Sequence, residues 1–126
     1  TAGDLSVAYS AGFQAGRYVL HDGFATVTGS IITSTFTHTT ASGDFRITGL
    51  PVAAKSTANF FPTGAITWRG ITKANFTDMA VTIQPGNQYL EIFASGSAQN
   101  DAIIAFGDMP TGGTVRLFFS FTYEHA

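Results

Sequence analysis

The sequence predicts an all-β domain, an antiparallel and jelly-roll-like β-sandwich of about eight strands. The first reason is that apolar residues recur with a period of two, most clearly in Thr114–Tyr123, where Val115, Leu117 and Phe119 share one face. The second reason is that turn-forming residues recur at short intervals between the apolar runs. Short strands at this spacing, without a helical segment, are typical of a sandwich.

Two β-hairpins are predicted from their turn residues. Asp22-Gly23 lies between two apolar runs, and both residues tolerate the positive φ angles of a two-residue hairpin turn. Pro85-Gly86-Asn87 separates a second pair of runs, with the glycine at the left-handed position. The predicted strands, in order, are Arg17–His21, Phe24–Ile32, Asp44–Thr48, Ala65–Arg69, Met79–Ile83, Tyr89–Phe93, Ala102–Phe106 and Thr114–Tyr123. A short turn around Thr72–Asp78 is the one place where a helix is allowed.

The composition indicates a domain whose surface is partly covered. The chain has 126 residues, enough for one domain with a sizeable core. Only 11% of the residues are charged, less than half the usual share, whereas 12 residues are Phe. The excess rings belong either to a Phe-rich core or to a subunit interface, where aromatic residues are enriched and charged residues are depleted.

Charge and cysteine content argue against several classes of partner. The net charge is −2 and no cluster of Lys or Arg follows a phosphate backbone, so nucleic acid is not expected. The chain lacks cysteine, which excludes disulfides and thiolate metal sites. No apolar run approaches the ~18 residues of a membrane helix, so membrane insertion is not expected.

The chain begins at Thr1 rather than Met. We interpret it as a C-terminal piece of a longer protein. Residues 1–126 are expected to form a single domain, and residues 1–15 either a linker or the first strand.

Catalytic chemistry, metal ions and cofactors are not expected. Four aspartates adjoin Gly or Asn at predicted turns, where their side chains bond the nearby backbone: Asp22, Asp44, Asp101 and Asp108. The histidines His21, His38 and His125 have no spacing that indicates a metal site. Glu91 is predicted to face solvent or a neighbouring subunit, since Leu90 and Ile92 on either side would face the core. We therefore predict that the chain is not an enzyme.

The candidate glycan-binding residues are Trp68, Arg69, Asn75 and Tyr89. Sugars are held by aromatic faces, while polar side chains fix their hydroxyl groups. Trp68 is the only Trp, Arg69 follows it directly and Asn75 is nearby, while Tyr89 lies at the mouth of a predicted hairpin. The alternative for Trp68, and the more frequent one, is a half-buried strand position.

Four segments carry a family resemblance: Gly16-Arg17-Tyr18, Val27-Thr28-Gly29-Ser30-Ile31, Arg46-Ile47-Thr48-Gly49-Leu50-Pro51, and Gly113-Thr114-Val115 running on to Tyr123. In this order they resemble the C-terminal β-sandwich modules of bacteriophage tail fibres and tailspikes. Ala25 departs from the pattern, which often has Val there, and the residues before Gly16 match nothing in it. The shared motifs are structural, since Gly49 permits a turn and Pro51 ends a strand, so they imply a fold and no binding site.

The resemblance implies a homotrimer at the distal end of a virion tail fibre or spike, outside the cell. Such modules assemble the fibre as a trimer, and some contact host cell-surface polysaccharide. A non-enzymatic module for trimer assembly and glycan recognition is therefore the predicted function. Two alternatives stay open: a purely structural trimerisation cap without a ligand, and an accessory carbohydrate-binding domain of an upstream polysaccharide depolymerase.

Overall fold

The computed structural model describes residues 1 and 3–126, which form eight strands and one short 3-10 turn. The strands are β1 (Ser6–His21), β2 (Phe24–Thr37), β3 (Arg46–Thr48), β4 (Thr63–Arg69), β5 (Asp78–Ile83), β6 (Tyr89–Ser95), β7 (Ala102–Ile103) and β8 (Arg116–Glu124). Every strand pairing is antiparallel. The prediction of an antiparallel all-β fold with about eight strands and almost no helix is confirmed.

All eight strands belong to one sheet, which curls into a half-barrel. Neighbouring strands follow the order β1, β2, β8, β4, β5, β6, β3, and β7 also pairs with β6. Strand β1 therefore lies at one end of the sheet and β3 at the other. The division into two separate facing sheets, which the sandwich prediction requires, is not confirmed.

The core occupies the concave side of the half-barrel. Strand β8 shows how the alternation of its residues places one face of the strand in this core. Its odd-numbered apolar side chains are buried, whereas Ser120 and Thr122 on the other face are exposed. This is the predicted period of two, with one face packed and the other facing solvent. The buried cluster joins β8 to the far half of the sheet through residues such as Val81 and Ile92. One core thus links the two halves of the sheet.

Strands β1 and β2 form a long hairpin with the predicted turn. Asp22 and Gly23 have φ angles of 50° and 84°, as a two-residue turn with two left-handed residues requires. Further along, Ser10–Phe13 bulge out of β1 and Ser34 bulges out of β2. The extra residue in β2 reverses its alternation, so Phe36 turns to the buried side. Because β1 begins at Ser6, most of residues 1–15 belong to the first strand.

The structure differs from the prediction after β6. The strand predicted over Ala102–Phe106 is wrong beyond Ile103, because Phe106–Asp108 forms the 3-10 turn. The carboxylate of Asp108 stabilises this turn by accepting a hydrogen bond from the backbone N of Ala105 at 3.0 Å. In the segment where a helix was allowed, Thr72–Asp78, residues 72–77 form a loop and Asp78 begins β5. Among the residues described, no helix is long and apolar enough to cross a membrane.

Candidate functional site

The four residues predicted to bind glycan lie in separate regions of the sheet. Arg69 ends β4, and Asn75 follows in the exposed loop before β5. Tyr89 begins β6. Because β4 pairs antiparallel with β5, and β5 with β6, Tyr89 lies at the opposite end of the strands from Arg69. The fold therefore does not bring Tyr89 together with Arg69 and Asn75. Their role in glycan binding stays a prediction.

Trp68 lies on the concave face of β4. It pairs with Leu117 of β8 and packs, half-buried, against the core cluster. This placement corresponds to the alternative interpretation of Trp68 as a half-buried strand residue. Arg69 points to the convex face, opposite Arg116. Consecutive residues of one strand face opposite sides, so Trp68 and Arg69 do not form a common surface.

Tyr89 belongs to a polar cluster on the convex face at the β3 end of the sheet. The guanidinium of Arg46 lies 4.4 Å from the centroid of the Tyr89 ring. The Arg46 Nε atom is 3.4 Å from Glu91 Oε2, and Gln84 Nε2 donates to Glu91 Oε1 at 3.0 Å. This arrangement places donors beside an aromatic ring, the combination that sugar binding uses.

The prediction for Glu91 is wrong. Its side chain faces neither solvent nor open surface, since the residue is only 3% exposed. Pairing of β3 with β6 places Arg46 directly opposite Glu91, and Gln84 covers its other oxygen. A buried carboxylate requires such donors, because an uncompensated charge away from water is costly.

A groove of about 590 Å³ opens along the concave side of the half-barrel. One wall is the edge strand β1 from Gln14 to Tyr18, and the other is β3 with Gly49–Pro51 after it. The floor comes from β2 and β8, including Val27 and Phe119. The groove is thus the open side of the half-barrel. Its volume is in the range of about 300–1,000 Å³ that is typical of binding sites.

Each wall of the groove is one continuous run of residues. Residues 14–18 and 46–51 line it without a gap, although successive side chains of a strand point to opposite faces. Within the part of the chain that the structure describes, β1 pairs only with β2, and β3 only with β6. Each of the two strands therefore has one edge whose N–H and C=O groups can accept a further strand.

Most of the large apolar side chains that are exposed belong to the β1–β2 hairpin. We call them the hairpin surface: Tyr9, Phe13, Tyr18, Val19, Leu20 and Phe24. Tyr18 and Leu20 pair with the buried Val27 and Ala25, so they point to the concave, core-forming face. They are nevertheless 56% and 46% exposed. The face of β1 that continues the core therefore lacks the covering that the rest of the concave face has.

Sequence reasoning did not single out the hairpin surface as a site. The available signal was the run Tyr18-Val19-Leu20, three consecutive apolar residues in a predicted strand. In a strand with one solvent-exposed face, a polar residue is expected at every second position. Such a run indicates a strand that is covered on both faces, which β1 in this chain is not.

The start of β1 is held in place by Asp4. Its carboxylate accepts hydrogen bonds from the backbone N and the Oγ1 of both Thr39 and Thr40, just after β2. These bonds, led by the one from the Thr39 hydroxyl, hold the pKa of Asp4 well below its usual range. The wall of the groove is thereby fixed at the end of β1 that is remote from the hairpin turn.

The resemblance to phage fibre modules stays a prediction after comparison with known proteins. No family model, no curated protein and no solved structure matches this chain. The features of the chain that bear on its function are the groove and the hairpin surface.

Proposed function

We propose that this chain is a non-enzymatic assembly and adhesion module of a bacteriophage tail fibre or tailspike. In this proposal three copies associate at the virion tip, outside the cell, and the trimer recognises host cell-surface polysaccharide. The hairpin surface carries the proposal, because an apolar surface of this size on a sheet edge is suited to contact with another subunit.

The area of the hairpin surface supports a subunit interface. Four of its six side chains are aromatic and about half exposed. With about 150–250 Å² for each aromatic side chain, the six residues together expose on the order of 500 Å² of apolar surface. A stable interface buries about 800 Å² on each partner. Val19 and Phe24 point to the opposite face from Tyr18 and Leu20, so each face of the hairpin would supply a part of that area.

The charge distribution also supports an interface. Between Ser6 and Thr37 only Arg17 and Asp22 carry a formal charge. Exposed edge strands of monomeric proteins usually carry charged residues or Pro that prevent association, and β1 has few of them. Depletion of charge with enrichment of aromatic residues is the composition of an interface core.

The proposal retains a sandwich-like arrangement of the curled sheet. One layer would comprise β1, β2, β8 and β4, and the other β5, β6, β3 and β7. Support comes from the core, in which Val27 and Leu117 of the first group share a buried cluster with Val81 and Ile92 of the second. Association of three copies would cover the side that the half-barrel leaves open.

Polysaccharide recognition is proposed for the surface outside the hairpin. Arg69 and Asn75 are exposed at one end of the strands, and Tyr89 is partly exposed beside Arg46 at the other end. Rings and hydrogen-bond donors of this kind suit contact with sugars. Because the two regions are separated, they need separate variants in any binding experiment.

Light scattering coupled to gel filtration tests the assembly. The chain is expected to elute with the mass of a trimer, and the double variant Tyr18→Ser/Leu20→Ser with the mass of a monomer. Phe61→Ser is the matched control, since Phe61 is an exposed ring outside the hairpin and its loss should leave the trimer intact. A wild-type chain that is monomeric at high concentration would contradict the proposal.

A glycan array tests recognition with the same proteins. Binding by the trimer should be lost in Tyr89→Ala or in Arg69→Ala/Asn75→Ala, with the mass unchanged. A trimer that binds no glycan would instead favour the structural cap and contradict the adhesion part of the proposal.

A further inference from the structure

We infer that the convex face of β2, β8 and β4 binds an acidic polysaccharide, with one of its negatively charged groups held between Arg69 and Arg116. The inference rests on the proposed function, because it specifies where recognition occurs and what charge the glycan carries. It joins Arg69, a predicted site residue, to Arg116 and Phe118, which were not predicted. The proposed assembly covers the open, concave side, so the convex face stays accessible to a polymer.

Arg69 and Arg116 form a pair of like charges. They are directly opposed in the pairing of β4 with β8, and both side chains point to the convex face. Directly opposed residues have Cβ atoms about 4.5–5.5 Å apart, and like charges in this position destabilise a sheet. Among the residues that the structure describes, the ion pairs involve other cations, namely His21, Arg46, Lys55 and Lys73. An anion between the two guanidinium groups would therefore remove a repulsion that no carboxylate of the described chain relieves.

The Phe118 ring positions the guanidinium of Arg116. The Arg116 Cζ atom lies 5.1 Å from the centroid of the ring, within the range of a cation–π contact. The Arg116 Nε atom is buried and has no hydrogen-bond partner in the described part of the chain. A buried N–H group without an acceptor requires an explanation, and a ligand oxygen that approaches this partly exposed side chain supplies one.

A shallow groove of about 420 Å³ lies next to the two arginines on the convex face. The partly exposed Phe118 ring lies in this groove together with four hydroxyl side chains, those of Thr28, Ser30, Thr67 and Ser120. Ser30, Phe118 and Thr67 are cross-strand neighbours, and the two arginines occupy the next row, about 6–7 Å further along the strands. A ring surrounded by hydroxyl groups suits a sugar, and the adjoining arginines suit its charged substituent.

The charge of this half of the sheet favours an anionic ligand. The strands β1, β2, β8 and β4 contain three arginines, Arg17, Arg69 and Arg116, all of which point to the convex face. The one acidic residue in these four strands, Glu124, is neutralised by Lys55, whose Nζ atom lies 2.6 Å from Glu124 Oε1. The whole chain nevertheless has a net charge of −2. Positive charge is thus concentrated on one face, where it attracts a polyanion.

Biolayer interferometry with immobilised polysaccharides tests the inference on the full chain. The first pair of probes is polygalacturonate, which has a carboxylate on every sugar, and its fully methyl-esterified form, which is uncharged. The second pair is dextran sulfate and dextran. The chain should bind at least one charged probe about tenfold or more tightly than its uncharged counterpart, since each guanidinium donates charge-assisted hydrogen bonds. The stronger response of the two charged probes identifies carboxylate or sulfate as the preferred group.

Single substitutions locate the site. Arg69→Gln and Arg116→Gln should each weaken binding of the charged probe by about tenfold, because each removes one of the two cations. Lys55→Gln is the matched control, since it removes the same charge beside Glu124, at the other end of β8. Its affinity should stay within about twofold of wild type, because solvent and salt screen a charge at that distance. Circular dichroism confirms that each variant keeps its β structure.

The stability of Arg69→Gln distinguishes a binding residue from a structural one. Because Arg69 opposes a like charge, its replacement should leave the melting temperature unchanged or raise it. The charged probe should raise the melting temperature of wild type more than that of the variant. A clearly lower melting temperature of Arg69→Gln without probe would show that this arginine supports the fold, and would overturn the inference.

The outcomes separate this inference from the proposed function. Equal binding of charged and uncharged probes, or binding of neutral glycans alone on the array, overturns the inference and leaves glycan recognition standing. Binding of a charged probe that survives both arginine substitutions places the site elsewhere and overturns the inference as well. A trimer that binds neither kind of glycan overturns the inference together with the adhesion part of the proposed function. A monomeric chain that binds the charged probe through both arginines supports the inference and contradicts the proposed assembly.

Discussion

The ring of Phe119 lies directly over Gly29 on the concave face of the sheet. The two residues are paired between β8 and β2, and a Cβ atom on Gly29 would lie 2.2 Å from the ring Cζ atom and 2.7 Å from each Cε atom. Phe119 is buried and forms part of the groove floor. A strand interior usually disfavours glycine, so its presence here is explained by the space that this ring requires.

Replacement of Gly29 by alanine should therefore destabilise the fold. The methyl group would force the Phe119 ring out of its place in the core, which costs about 1–3 kcal/mol for overpacking of this kind. Urea denaturation followed by fluorescence measures the loss. Gly112→Ala is the control, since a Cβ there meets no atom within 4 Å, and its effect should stay within about 0.5 kcal/mol. Equal stability of the two variants would contradict the packing argument.

Tyr123 joins the last strand to the segment after β3. Its hydroxyl donates a hydrogen bond of 2.7 Å to the carbonyl of Val52, and the residue is buried. Burial raises the pKa of Tyr123, an effect that the hydrogen bond to Val52 partly opposes. Tyr123→Phe should lower the free energy of unfolding by about 1 kcal/mol near neutral pH, because the Val52 carbonyl loses its donor.

The raised pKa of Tyr123 also predicts a loss of stability in alkali. The folded chain holds the phenol proton more tightly than the unfolded chain, so this contribution is complete below about pH 10 and is lost as the pH rises further. The difference in stability between wild type and Tyr123→Phe should therefore shrink in alkaline urea titrations. Tyr9→Phe, at an exposed tyrosine, serves as the control. A constant difference at every pH would contradict this assignment.

Local patterns were sufficient to predict most strands. In β8 one face packs against the core and the other faces solvent. The alternation of apolar and polar residues along this strand therefore indicates directly which side chains are buried. The turn at Asp22-Gly23 is equally local, because it depends on the backbone freedom of two residues. The strand expected over Ala102–Phe106 ends early because Ala105 bonds Asp108, a contact that the alternation does not reveal.

The site depends on contacts between distant segments, and these leave no local signal. Glu91 is buried by Arg46, which lies far from it in sequence and reaches it only through the pairing of β3 with β6. The separation of Tyr89 from Arg69 follows from the antiparallel register of three strands. The exposed concave face of β1 follows from the curl of the whole sheet, which stops before β1 meets β3. None of these three features can be derived from the periodicity of apolar residues along the sequence.

The hydrogen bonds to the Asp4 carboxylate predict that the fold loses stability in acid. Its pKa is lowered by hydrogen bonds from Thr39 and Thr40, so the folded chain favours the carboxylate more than the unfolded chain does. The contribution is complete above about pH 4 and is lost as the pH falls below that value. Asp4→Asn should therefore be less stable than wild type near neutral pH, and the difference should shrink in acid. Asp101→Asn, which removes another exposed carboxylate, is the matched control.

The contact between Arg46 and Glu91 allows a double-mutant cycle. Arg46→Met removes the cation beside a carboxylate that is 3% exposed and leaves Gln84 as its donor. Because the Arg46 side chain is 47% exposed, solvent weakens the pair, and the expected loss is about 1–2 kcal/mol rather than the value of a fully buried pair. Adding Glu91→Gln removes the buried charge, so the double variant should be more stable than Arg46→Met alone. If the two substitutions were simply additive, the guanidinium would contribute nothing to the burial of Glu91.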